Sequence, residues 1–145
     1  MNLIATPSSE RTLLVIASDQ ANMLLMTQLI ARRGDLNLLT AVNGKEGLKL
    51  ANTSQPEVVV LDTALSDICT NEVLKGLHEN PRTSDIPVIA VSSDAQETQI
   101  QAGLQAGFYR YLTKPYKLTD LLDAIDSSLR YGLGNSESVN TSFSA

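Results

Sequence analysis

The most informative stretch of the sequence is Pro56-Glu57-Val58-Val59-Val60-Leu61-Asp62. It contains four consecutive large apolar residues, three of them β-branched, which is typical of a strand buried on both faces of a parallel sheet. The run then ends on a carboxylate. In an open α/β sheet, ligands and chemistry gather at the carboxyl ends of the central strands. We therefore expect Asp62 to be placed for reaction, with a simple cap of the next loop as the alternative.

Strand-like and helical patterns alternate along the rest of the chain. Apolar runs predict further strands at 12–17, 36–41, 86–91 and 109–112. Apolar spacing, caps and glycine stops predict helices at 20–33, 45–51, 71–79, 95–106 and 118–131. Ser18 or Asp19 is expected to cap the first helix, and Asn43 is a better helix cap than a hairpin residue. The alternation predicts a doubly wound α/β fold, with a five-stranded parallel sheet and helices on both faces.

Length and composition predict a single domain. A chain of 145 residues, of which 43% are hydrophobic, can bury one sizeable core. Residues 1–11 are expected to form a flexible leader, and residues 12–131 the folded domain. From Gly132 the composition shifts to Gly, Ser, Asn and Thr, so residues 132–145 are expected to be a disordered tail.

Charge and cysteine content exclude several kinds of function. The net charge of -5 and the absence of a basic run argue against binding to nucleic acid. The apolar runs are too short to span a membrane, and the N-terminus does not have the pattern of a signal peptide. One cysteine, Cys69, cannot form an internal disulfide, which fits a reducing, cytoplasmic location. Cys69 is a poor candidate nucleophile because the only histidine, His78, is expected at the surface.

Three polar residues stand at the ends of successive predicted strands: Asp62, Ser92 and Lys114. Together they suit the task of holding a phosphoryl group. A carboxylate oxygen can attack phosphorus to give an acyl phosphate. An ammonium group pairs with the oxygens of the transferred group, and a hydroxyl donates a hydrogen bond to them.

The sequence stretches that contain these three residues resemble the receiver domain of the response-regulator family of two-component signalling. The resemblance covers about residues 11–131 and rests on the stretches 56–62, 86–92 and 106–115. The last stretch, Ala-Gly-Phe-Tyr-Arg-Tyr-Leu-Thr-Lys-Pro, is especially similar to the receiver modules of hybrid sensor histidine kinases. The resemblance implies a flavodoxin-like sheet with the strand order 2-1-3-4-5.

The same resemblance implies a role for each matching residue. Asp62 would be the phosphoacceptor, Lys114 the phosphoryl-binding lysine, and Ser92 the hydroxyl of the conformational switch. Tyr111 would be the switch aromatic, and Pro115 would follow a cis peptide bond. The chain would then be a signalling module and not an enzyme. Its partner would be a histidine kinase or a phosphotransfer protein.

The sequence departs from the family pattern in its acidic pocket. The family ends its first strand on two acids that hold Mg²⁺ with the phosphoacceptor, and this chain has Ala17-Ser18 there. What remains for the ion is Asp62 and the backbone carbonyl of Ala64, with Asp19 as a further candidate. Mg²⁺ requires near-octahedral oxygen ligands, so we expect it to bind weakly or not at all. Cys69-Thr70 also stands where the family commonly has Asp-Gly.

Two hypotheses about function follow from these residues. In the first, a histidine kinase phosphorylates Asp62 and the signal passes through protein contacts. In the second, the chain is a degenerate receiver that binds proteins independently of phosphorylation, because Ala17-Ser18 replaces the acidic pair. Other α/β enzymes fit less well. A dinucleotide-binding enzyme needs a glycine-rich turn after the first strand, and an aspartyl phosphatase of the dehalogenase type needs an acid where Ala64 stands.

Aromatic residues are concentrated near the end of the predicted domain. Five of the six lie there: Phe108, Tyr109, Tyr111, Tyr116 and Tyr131. They can pack the fifth strand against the last helix. Because aromatic residues and arginine are enriched at interfaces, the same face, with Arg110, is the candidate surface for a homodimer.

Overall fold

The computed structural model describes residues 11–138, in which five strands and five helices alternate. The strands are β1 (Arg11–Ile16), β2 (Leu36–Ala41), β3 (Val58–Asp62), β4 (Val88–Ser92) and β5 (Arg110–Thr113). The helices are α1 (Gln20–Ile30), α2 (Gly44–Ser54), α3 (Thr70–Glu79), α4 (Glu97–Ala106) and α5 (Leu118–Ser138). Each strand is followed by one helix, as predicted.

The sheet is entirely parallel, with the strand order β2-β1-β3-β4-β5. Strand β3 lies in the centre, and all of its residues are buried. Asp62 pairs with Val91, and Ser92 pairs with Thr113. The carboxyl ends of the strands therefore lie along one edge of the sheet. The predicted flavodoxin-like order 2-1-3-4-5 is confirmed.

Two hydrophobic layers, one on each face of the sheet, hold the helices in place. Successive side chains of a strand point to opposite faces, so Val58 and Val60 belong to one layer and Val59 and Leu61 to the other. The first layer includes Met26 and Ile30 of α1 and Leu121 and Ile125 of α5. The second includes Ala51 of α2 and Val73, Leu74 and Leu77 of α3. Helix α4, all of whose residues the structure describes, contributes no buried residue to either layer.

The ends of several helices follow from local chemistry. The Asp19 carboxylate caps α1 by accepting a hydrogen bond from the Asn22 N–H at 2.9 Å. The side chain of Asn43 caps α2 in the same way, through the Glu46 N–H at 2.8 Å. Both caps were predicted. Gly107 follows α4 with a φ of 123°, a backbone conformation that residues other than glycine rarely adopt.

Other boundaries differ from the prediction. Helix α1 ends at Ile30 and not at residue 33, because the N–H groups of Arg32 and Arg33 bond to carbonyls only three residues back and so form a tighter turn. Helix α4 starts at Glu97 and not at residue 95, and strands β4 and β5 are displaced by one or two residues from the predicted ranges.

The structure differs from the prediction at both ends of the domain. Arg11 belongs to β1, because it pairs with Leu36, and not to the leader. The rest of the predicted leader lies outside the described residues. The prediction of a tail from residue 132 is wrong for 132–138, which continue α5, because a helix that has formed gains a hydrogen bond with each residue added. Residues 139–145 lie outside the described residues. None of the described helices is long and apolar enough to cross a membrane.

Candidate functional site

Asp62 ends β3 at the carboxyl edge of the sheet, where only 1% of its surface is exposed. Its Oδ1 accepts a hydrogen bond from the Ala64 N–H at 2.9 Å. Its Oδ2 accepts one from Lys114 Nζ at 2.8 Å and one from Asn22 Nδ2 at 3.2 Å. Buried carboxylates require such partners. The charge of Asp62 is therefore neutralised by one lysine and stabilised by two neutral donors.

Lys114 and Ser92 lie at the same edge as Asp62. The backbone N–H of Lys114 donates to the Ser92 carbonyl at 2.7 Å, which joins the ends of β5 and β4. The Lys114–Pro115 peptide bond is cis, as the resemblance implied. Ser92 is buried, and its Oγ accepts a hydrogen bond from the Asp94 N–H at 3.0 Å. The three residues selected from the sequence thus stand at adjacent strand ends, and a direct contact joins Lys114 to Asp62.

Tyr111 lies in β5 beneath α4. Its ring meets the ring of Phe108 edge to face, with 6.3 Å between centroids. A Cβ atom on Gly103 of α4 would come within 2.8 Å of the Tyr111 ring, so the ring packs directly against the backbone of that helix. Beside it is a cavity of about 580 Å³ between α3 and α4, which is also lined by Ser92. The tyrosine is therefore close to the carboxyl edge and in contact with the least buried helix.

The residues around Asp62 fit a Mg²⁺ site poorly. Ala17 is 1% exposed and offers no side-chain oxygen. The Ser18 hydroxyl lies 3.1 Å from Ser66 Oγ and accepts a hydrogen bond from the Ser66 N–H at 3.0 Å. Asp19, the further candidate ligand, instead caps α1. Among the side chains that the structure describes, no three His, Cys, Asp or Glu residues gather into a metal-binding group.

The loop from β3 to α3 is held at two points. One is the contact between Ser18 and Ser66 described above. The other is the Asp67 carboxylate, which accepts hydrogen bonds from the N–H groups of Gly44 at 2.8 Å and Lys45 at 2.9 Å, at the start of α2. Desolvation raises the pKa of Asp67, but hydrogen bonds from backbone N–H groups, among them those of Lys45 and Gly44, together outweigh it, so the pKa lies below its ordinary value. The loop that follows Asp62 is therefore tied to β1 and to α2.

Two residues near Asp62 were not assigned to this site from the sequence. Asn22 lies in the first turn of α1, and the only signal for it was its position shortly after β1. Tyr116 follows the Lys114-Pro115 pair. Burial raises the pKa of Tyr116, and the negative charge of Asp62 raises it further. The pKa of Tyr116 therefore depends in part on the charge of Asp62.

The aromatic residues near the end of the domain make contacts within the chain. The rings of Tyr109 and Tyr131 lie 4.9 Å apart, between centroids. Arg110 donates a hydrogen bond to Ser127 Oγ at 3.2 Å and lies 3.9 Å from the Asp123 carboxylate. These contacts pack β5 against α5. A homodimer through this face stays a prediction. His78 and Cys69 are both exposed, as expected for the histidine.

A doubly wound parallel sheet in this strand order is the fold of CheY-like receiver modules. One of them, a CheY-like response regulator receiver domain protein from Methanospirillum hungatei, superposes with a TM-score of 0.75 and 25% identity, over 86% of this chain and 98% of that one. The chain belongs to the response regulator receiver domain family, whose family model matches residues 13–126.

Two relatives illustrate the range of proteins in which the module is found. The protein PilH of Pseudomonas aeruginosa is 32% identical over 117 residues, which cover 81% of this chain and 96% of PilH. The histidine kinase P4 of Formosa agariphila is 26% identical over 117 residues, which cover 81% of this chain but only 8% of the kinase. Receiver domains are in general signalling modules and not enzymes, and they interact with histidine kinases or phosphotransfer proteins.

Proposed function

We propose that this chain accepts a phosphoryl group on Asp62 and passes the signal on through protein contacts. The observation that carries the proposal is the 2.8 Å contact between Lys114 Nζ and Asp62 Oδ2, at the edge where Ser92 ends the neighbouring strand. A carboxylate nucleophile, a cation and a hydroxyl are groups that suit the transfer of a phosphoryl group to a carboxylate.

The transfer takes the phosphoryl group from a phosphohistidine of the partner. An Asp62 oxygen forms a bond to phosphorus, and the P–N bond breaks with its electron pair staying on the imidazole. The imidazole takes up a proton from water, and the product is an acyl phosphate. Oδ1 has the more available lone pairs, because it accepts only from the Ala64 N–H whereas Oδ2 accepts from both Lys114 and Asn22. Lys114 pairs with the oxygens of the transferred group.

We expect this transfer to be slow. Ala17 and Ser18 supply no carboxylate to hold a metal ion, so Lys114 is the cation available to balance the transferred charge. Lys114 must also leave its present contact with Asp62 in part, in order to meet the phosphoryl oxygens. Both features raise the barrier, since phosphoryl transfer is catalysed mainly by positioning and charge balance.

The test is incubation with acetyl phosphate and Mg²⁺, followed by intact-mass measurement over time. The expected result is slow gain of one phosphoryl group by the wild type and none by Asp62→Asn. Asp94→Asn is the matched control, because it removes an exposed carboxylate next to Ser92 at the same edge. Label persisting on Asp62→Asn would identify another acceptor and contradict the proposal.

A degenerate receiver that acts without phosphorylation is the second candidate. It is favoured by the Ser18 hydroxyl, which is engaged with Ser66 where the family carries a metal-binding acid. The same experiment separates the two functions. If the wild type gains no phosphoryl group while the Ala17→Asp, Ser18→Asp variant does, the first function is contradicted and the second is favoured.

A further inference from the structure

We infer that Lys114 and Asn22 take the role that a divalent cation would have at Asp62, so that the folded state of this domain does not depend on Mg²⁺. This role of Lys114 and Asn22 is independent of phosphorylation of Asp62. The Asp62 carboxylate is 1% exposed, and both of its oxygens accept hydrogen bonds from groups of the chain itself.

Charge balance is the first support. The carboxylate of Asp62 and the ammonium of Lys114, 2.8 Å apart, together carry no net charge. A divalent cation beside them would be attracted by one carboxylate and repelled by the ammonium. In the family pattern two further acids supply the attraction, and here Ala17 and Ser18 supply none. The local charge therefore provides no net electrostatic attraction for Mg²⁺.

The available ligands are the second support. Mg²⁺ requires near-octahedral oxygen ligands and gives up its water reluctantly. The side-chain oxygens closest in sequence to the end of β1 are already engaged: Ser18 with Ser66, and Asp19 with the first turn of α1. Asn22 presents its Nδ2 donor, and not its oxygen, to Asp62. Binding the ion would break these hydrogen bonds.

Loop anchoring is the third support. A metal ion held by residues of β1 and β3 would tie the two strand ends together. Here the hydrogen bonds between Ser18 and Ser66 make that connection, and Asp67 ties the same loop to α2. The conformation of the loop after Asp62 is therefore maintained by protein groups.

The test is thermal unfolding of the full chain during a Mg²⁺ titration at constant ionic strength. We expect no shift of Tm for the wild type. The Ala17→Asp, Ser18→Asp variant should bind Mg²⁺ at least about tenfold more tightly than the wild type, which corresponds to about 1.4 kcal/mol. The Thr98→Asp, Thr119→Asp variant is the matched control, because it adds the same charge at exposed positions in the first turns of α4 and α5.

The Ala17→Asp, Ser18→Asp protein could be unable to fold because Ala17 is buried, and a second variant keeps the inference testable in that event. Asn22→Asp is isosteric and places a carboxylate where an amide donor now lies 3.2 Å from Asp62. It should lower Tm without Mg²⁺, because like charges face each other, and Mg²⁺ should restore it. The inference is overturned if Mg²⁺ raises the Tm of the wild type, or if the wild type binds Mg²⁺ within tenfold of a variant whose Tm responds to the ion.

Discussion

The Asp62 carboxylate receives hydrogen bonds from three separate parts of the chain: from Asn22 on α1, from Ala64 in the following loop, and from Lys114 after β5. Each donor alone contributes a modest net free energy, but a buried charge left without partners is costly. The cluster therefore matters for stability as well as for chemistry. Single substitutions can measure the effect of this cluster on stability separately from its effect on the chemistry of neighbouring groups.

Lys114→Ala should destabilise the fold without preventing folding. It leaves the nearly fully buried carboxylate of Asp62 with neutral donors only, and breaking a buried pair costs about 3–5 kcal/mol. Because the Lys114 side chain is 22% exposed, we expect a smaller loss, of about 2–3 kcal/mol. Urea unfolding measures it, with Lys117→Ala at an exposed position as the control. Equal unfolding free energies for the two variants would show that the ion pair contributes nothing.

Asp62→Asn should lower the pKa of Tyr116. Burial and the charge of Asp62 both raise that pKa, and the substitution removes the second cause. Ultraviolet absorbance during a pH titration reports tyrosinate formation, and subtraction of the Tyr116→Phe curve isolates this residue. Asp94→Asn should leave the pKa unchanged. A phosphoryl group on Asp62 adds negative charge and should raise the pKa of Tyr116 above that of the unmodified protein.

At the scale of elements, Arg33 joins the turn after α1 to α5. Its guanidinium contacts the carboxylates of Asp35 and Asp126, each at 2.8 Å. The hydrogen bond from Arg33 is the main cause that lowers the pKa of Asp35. Because the folded pKa lies below the unfolded one, this pair stabilises the fold at neutral pH and loses that effect as the pH falls below about 4.

Arg33→Met should therefore reduce the unfolding free energy at neutral pH and make its decrease in acid shallower. The expected loss is up to about 1 kcal/mol, because the Asp35 side chain is 54% exposed. Urea unfolding at neutral pH and in acid measures both effects, with the exposed Arg32→Met as the control. The acid loss due to Asp67 should be the same in all three proteins. An unchanged pH dependence in Arg33→Met would contradict this assignment.

Elements with strong local signals were predictable from the sequence. β3 and β4 are continuous apolar runs because both faces are covered, and Asp19 and Asn43 are capping residues in the expected places. The ends of α1 and α5 were not predictable. α1 stops early because its final turn tightens near the Arg33 ion pairs, which depend on the distant Asp126.

The candidate functional site was also predictable only in part. Asp62, Ser92 and Lys114 end strands, and the parallel order of the sheet alone brings strand ends to one edge. No pattern in the sequence indicates that the Asn22 amide would reach Asp62, because that contact depends on how α1 packs on the sheet. The engagement of Ser18 with Ser66 likewise joins residues far apart in the chain.

At the scale of the whole molecule, the two hydrophobic layers share the central strands β1 and β3. Val58 and Val60 belong to one layer, and Val59 and Leu61 to the other. Loss of either layer would expose one face of β1 and β3, and these strands also carry the other layer. We therefore expect α1, α2, α3 and α5 to unfold together with the sheet in one cooperative transition. α4 is the exception because it contributes no buried residue.

The lack of buried residues in α4 should lower the protection of its amides in native-state hydrogen exchange. α3 and α4 are both ten residues long, but α3 buries Val73, Leu74 and Leu77. Local opening costs least where little apolar surface is buried. The amides of α4 should therefore be protected at least about tenfold less than those of α3, a difference of about 1.4 kcal/mol. Equal protection would contradict this. Among the described helices, α4 is therefore the one that a bound partner can reorganise at the lowest free-energy cost, and it lies directly against Tyr111.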